Sequence, residues 1–130
     1  MIGSIDWLGV LAAGIAGYVF GAVYYTVLGT RWMAALETTK EEIEKRKSIL
    51  PFVVAAIGQF VLAATLSILA GAESGMGPTI ALGLLLWIGI VMTTMTINHS
   101  FQGHKPALTV IDGLHWLGVL VLQSVVLALV

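Results

Sequence analysis

The chain has 130 residues, of which 58% are hydrophobic and only 10% charged, and a formal net charge of −1; its mean hydropathy of +1.00 excludes an ordinary soluble domain. The near-neutral balance argues against nucleic acid or any strongly charged partner, and the absence of cysteine excludes disulfides, thiol catalysis and thiolate metal sites. Four apolar stretches of about 20 residues match the ~30 Å hydrocarbon thickness of a bilayer, so the expected fold class is all-α: one domain, residues 1–130, forming an integral membrane four-helix bundle whose first partner is the lipid bilayer.

The first helix is expected at about residues 7–28. It begins near the N-terminus, but a run of about 22 residues without a basic leader or a small-residue cleavage site reads as a retained span rather than a signal peptide. Gly9, Ala13, Gly17 and Gly21 recur at a strict spacing of four and draw a stripe of small residues along one face. Such a stripe lets another backbone approach closely. It serves packing within the bundle or, on the sharper reading, a subunit interface that makes a homo-oligomer. Tyr24 and Tyr25 occupy the last turns of this helix.

The connection TRWMAALETTKEEIEKRKSIL is the only markedly polar stretch. Thr38 followed three residues later by Glu41 reads as a capping box, and the Glu41/Lys45 and Glu42/Arg46 pairs have the helix-supporting order. A short amphipathic helix is therefore expected between helices one and two. Glu37, Glu41, Glu42 and Glu44 offset its bases, so it reads as a solvated connector rather than a patch for anionic lipid.

Helix two is expected at about 52–72, with Pro51 in its first turn, and helix three at about 79–99, after the break made by Gly75, Gly77 and Pro78. The turn FQGHKP leads into helix four, at about 107–129. That last helix contains TVIDGLHWLGVL, in which Asp112 is the only Asp, Glu, Lys or Arg between Pro106 and Val130. His115 follows on the same face and Trp116 continues it. A carboxylate at this depth is costly as an anion, so it is expected to hold a proton or to pair with His115 or a tyrosine hydroxyl, pointing into the bundle.

Asp112, His115, Asn98, His99, Tyr24 and Tyr25 all fall toward one end of the bundle and form the candidate polar cluster. It reads as a hydrogen-bond clamp joining helices one, three and four, or as a proton relay, an ion step or a contact to a small ligand. His99, His104, Asp112 and His115 also supply enough nitrogen and oxygen ligands for zinc. Histidines at a membrane interface are usually hydrogen-bonded or solvated, however, and no cofactor is expected.

All six Lys and Arg residues lie in the first connection (Arg31, Lys40, Lys45, Arg46, Lys47) or the third (Lys105). Bases collect on the cytoplasmic side, so both termini are expected to be non-cytoplasmic, which four spans permit. WLGVL occurs twice, at Trp7 to Leu11 and at Trp116 to Leu120, but the flanking residues do not continue the match, and it reads as coincidence rather than an inverted repeat. Nucleophile elbow, phosphate loop, glycosidase carboxylate pair and HExxH are all missing, which leans against an enzyme. Three functions stand: a structural or accessory membrane protein that self-associates, a proton- or ion-linked small carrier or channel using Asp112 and His115, and an enzyme acting on lipid headgroups.

The stretches FGAVYYTVLGTRWM and NHSFQGHKPALTVIDGLH resemble a bacterial membrane-protein family, domain of unknown function 1761. The resemblance covers nearly the whole chain: a first helix ending in an aromatic pair before a Trp, a polar connection, then three helices with Asn and Phe before the last turn. Tyr24 stands where that family is expected to carry Trp. The resemblance implies a multi-pass protein of the bacterial inner (cytoplasmic) membrane and no particular mechanism.

Overall fold

The computed structural model describes residues 5–72 and 74–130. Helix α1 spans Trp7–Leu36. The Asp6 carboxylate accepts the Gly9 N–H at 3.1 Å, satisfying one of the orphan donors of the first turn. At the other end Glu37 takes a left-handed conformation (φ 62°), and the Thr38 N–H reaches back to the Met33 carbonyl at 3.0 Å. This is the usual way to close a helix C-terminus, though with Glu where glycine fits best. At 30 residues α1 outruns the expected end near residue 28 by two turns. Arg31 and Trp32, expected in the connection, are helical because a long basic or aromatic side chain can sit at a membrane interface without breaking the helix.

The short helix between the first two spans is α2, Lys40–Lys45. Its cap is Thr39, whose hydroxyl accepts the Glu42 N–H at 3.2 Å, while the Thr38 hydroxyl donates to the Glu42 carboxylate at 2.9 Å. The expected Thr38/Glu41 box is thus displaced by one residue to Thr39/Glu42, a pair with the same spacing.

Helix α3 is Leu50–Ala70, two residues earlier at each end than expected, with Pro51 in the first turn. The third span is continuous over Met76–Phe101 but changes pitch midway. It consists of α4 (Met76–Leu86), a π-helical segment (Trp87–Met92) and α5 (Thr93–Phe101). Within the wider turn the Thr93 hydroxyl donates to the carbonyl of Ile88, five residues back, at 3.0 Å. Helix α6, Pro106–Leu129, closes the chain.

Four of these helical segments are long and apolar enough to cross a membrane. Helix α6 packs on α1 and on the α4 to α5 span, and α3 lies against α1. The side-chain distribution is the reverse of a water-soluble bundle. Leu8, Leu11, Ile15, Val19 and Val23 are exposed along α1, and Phe101 is 92% exposed, whereas the interior is built from small residues and a few apolar ones: Ala13, Ala63, Leu66, Val119 and Leu120 are fully buried. Large apolar groups outside and close backbone contacts inside suit a lipid solvent, where van der Waals packing holds helices together.

The α1 stripe faces that interior. A Cβ at Gly9 would meet the Asp6 side chain and Leu127, one at Gly17 the side chains of Gln59 and Gln123, and one at Gly21 the His115 ring 2.9 Å away; Ala13 is fully buried. The stripe is therefore spent on α3 and α6. Its sharper reading as a subunit interface is corrected, because no room remains there for a second copy.

Gln59 and Gln123 are buried in this region, and the Gln123 amide donates to Gln59 Oε1 at 2.8 Å and to the Gln59 carbonyl at 3.2 Å. At the α4 to α6 crossing a Cβ on Gly83 would stand 2.8 Å from Ser124 Oγ and 3.3 Å from the Leu120 carbonyl oxygen.

Candidate functional site

Tyr24 and Tyr25 are consecutive on α1, and both hydroxyls reach α6. Tyr24 donates to the Ile111 carbonyl at 2.5 Å. Tyr25 donates to Asp112 Oδ1 at 2.6 Å, at the short end of hydroxyl-to-oxygen hydrogen bonds. Of the two partners expected for Asp112, the structure thus gives it a tyrosine hydroxyl. Among the described residues no hydrogen bond joins it to His115, and its second carboxylate oxygen takes none.

His115 lies one turn further along α6 and is 5% exposed. Four aromatic rings surround it: Trp116 at 4.6 Å between centroids, Tyr25 at 4.8 Å, Tyr24 at 5.5 Å and Phe20 at 6.1 Å. Gly21 gives its Nε2 the space to approach α1, and its Nδ1 is buried with no partner among the described residues. The ring is an aromatic-packed wedge between α1 and α6.

Asn98 and His99 do not join this cluster. Asn98 is exposed. His99 Nδ1 shares a hydrogen bond with the Thr109 hydroxyl at 2.9 Å and meets His104 edge-on at 5.4 Å. The sequence places these side chains at the right depth but says nothing about which way they face around the helix axis. The proposed zinc set fails for the same reason. His99 in the last turn of α5 and His104 in the turn after it lie apart from Asp112 and His115, which face α1, and among the described residues no three His, Asp or Glu side chains converge as a metal site requires.

Two further side chains complete the site. The Trp87 indole of the π segment donates to the Gly113 carbonyl at 2.8 Å, tying the third span to α6 beside Asp112. Trp32 packs edge-on against Tyr25 at 6.0 Å. It lies seven residues, two turns, after Tyr25, a spacing that would have placed it on the same face had the helix been expected to continue. Lastly, Tyr25 and Trp116 form a wall shared by two clefts. One, of about 440 Å³, includes Asp112, Trp32 and Ile43 of α2; the other, of about 780 Å³, runs between α1, α3 and α6 past Tyr18, Phe52, Gln59 and His115.

Four apolar helices around a small-residue interior, with polar and aromatic side chains gathered between the first and last, define an all-helical chain with the make-up of a multi-pass membrane protein. The chain belongs to the family described as protein of unknown function DUF1761, whose model matches residues 8–128, the family whose motifs it resembles. No curated protein and no solved structure matched.

Proposed function

We propose that the protein is a small structural or accessory component of the bacterial inner membrane, held in shape by a tyrosine and aspartate clamp between α1 and α6, with both termini on the non-cytoplasmic side. One observation carries the reading: the Asp112 carboxylate is engaged at 2.6 Å by Tyr25, while Tyr24 seals the adjoining turn through the Ile111 carbonyl. The six bases gathered at one end support the orientation. A proton- or ion-linked carrier would also use Asp112 and His115. The interior beyond them, among the described residues, offers Gln59, Gln123, Ser124 and Thr79, none of which can pass on a proton by titrating. A headgroup enzyme would have to work with Asp112 Oδ2 and His115, which no hydrogen bond joins among the described residues.

The test compares stability with flux. Tyr25→Phe should lower the unfolding free energy in detergent by about 1 kcal/mol, and Asp112→Asn, which can still accept the hydroxyl, should stay close to wild type. Neither change should alter proton or cation movement across liposomes. A pH-dependent flux in the wild type that Asp112→Asn abolishes would replace the clamp with a relay.

Self-association belongs to the same proposal and is assigned to the third span, whose apolar window is only 6% buried and where Gly89 faces open space. The natural absence of cysteine makes the measurement clean. A single cysteine at Gly89 should give crosslinked dimers in membranes, and one at Val19, on the outward face of α1, should give far fewer. Equal or absent crosslinking would assign the third span to lipid alone.

A further inference from the structure

The smaller cleft has a chemistry that the clamp does not use. Tyr25, Trp32 and Met33 of α1, Ile43 of α2, and Asp112 and Trp116 of α6 line it. Three aromatic rings and one carboxylate thus border a space of about 440 Å³, within the size range of small-molecule sites. Tyr25 occupies only Oδ1 of the carboxylate, and Oδ2 takes no hydrogen bond among the described residues.

Among the described residues no basic side chain lines the cleft. The bases nearest in sequence, Arg31, Lys40 and Lys45, are exposed, and Lys105 lies 3.6 Å from Glu37. An anionic ligand such as a phosphate would meet an uncompensated carboxylate and no positive partner. A hard metal cation would find one carboxylate and one hydroxyl where it needs six or so oxygens. A weakly hydrated organic cation fits both halves of the lining, because aromatic faces attract a cation through their quadrupole and the carboxylate supplies the opposite charge.

We propose that this cleft binds an organic cation of the alkylammonium or quaternary ammonium class, its charge held between the Tyr25, Trp32 and Trp116 rings against the carboxylate of Asp112, with Ile43 of the short connecting helix forming the roof. This goes beyond the clamp, since the Tyr25 to Asp112 bond can persist while the second oxygen serves the ligand.

Calorimetry on the protein in lipid nanodiscs tests it with choline and tetraethylammonium as probes and 3,3-dimethylbutan-1-ol, the uncharged isostere of choline, as control. Saturable binding of at least one cation is expected, with the neutral isostere at least about tenfold weaker, and Asp112→Asn and Trp32→Leu should each lower the cation affinity by about tenfold. Trp7→Phe, remote from the cleft, should leave affinity unchanged. Equal affinity for the isostere, wild-type affinity in both cleft variants, or no saturable binding of either cation would overturn the proposal. Should Asp112→Asn not fold, Trp32→Leu and the isostere decide the question. Stability of the Tyr25→Phe variant is read separately, so a failure of the clamp is not mistaken for a failure of the site.

Discussion

Gly17→Leu is expected to prevent the bundle from assembling. A Cβ at this position would overlap Gln59 Oε1 and stand 2.8 Å from Gln123 Nε2, and a leucine adds three more carbons in the same direction. The amide pair has nowhere to retreat, since Gln59 is 4% exposed and Gln123 fully buried. The helices must separate instead, which forfeits the close contacts that hold α1 to α3 and α6. The loss should reach at least about 3 kcal/mol, the upper end for overpacking, and show as a large fall in thermal stability in detergent or as failure to accumulate in membranes. Gly58→Leu is the matched control: among the described residues nothing lies within 4 Å of its Cβ position, and stability should hold. A Gly17→Leu protein as stable as wild type would mean that α1 meets its neighbours through another face.

The second large effect concerns the amides themselves. Gln59→Leu removes the nearer acceptor of the Gln123 amide and leaves it only the Gln59 backbone carbonyl at 3.2 Å, while its own Oε1 already lacks a partner among the described residues. Gln123→Leu removes the donor. Either change leaves a polar group in a low-dielectric interior and should cost about 1–2 kcal/mol. The double variant Gln59→Leu/Gln123→Leu removes both groups together and should recover most of that loss, because orphaning a buried group costs more than the pair contributes. A double-mutant cycle reads the coupling directly. Purely additive losses would show that the two amides do not bond in the folded protein.

The spans were legible in the sequence because length and hydropathy alone specify them, and a bilayer leaves few alternatives to a helix. Their ends were less so. The last two turns of α1 carry Thr30, Arg31 and Trp32, which look like a loop when polarity is taken as the end of a span. The cap of α2 was ambiguous by one residue because Thr38 and Thr39 both stand three positions before a glutamate. Depth along the helix also grouped Asp112, His115, Tyr24 and Tyr25, which the structure places in contact through a hydroxyl-to-carboxyl bond and packed rings. It could not exclude Asn98 and His99, which share that depth but not that direction. The Gln59 to Gln123 bond was within reach: each is the only amide in its span, and a lone amide in hydrocarbon seeks a partner.

The π-helical turn at Trp87–Met92 has a consequence for how the chain tolerates changes in length. A π turn takes up extra chain without adding a full α-helical step, so Gly83 before it and His99 after it each keep their own contact with α6. The third span therefore holds a reserve of one residue. A relative shorter by one position between Trp87 and Met92 could close this turn to ordinary α-helix and still present both contacts, whereas the same deletion in α1 would rotate Tyr24 and Tyr25 by about 100° away from their partners.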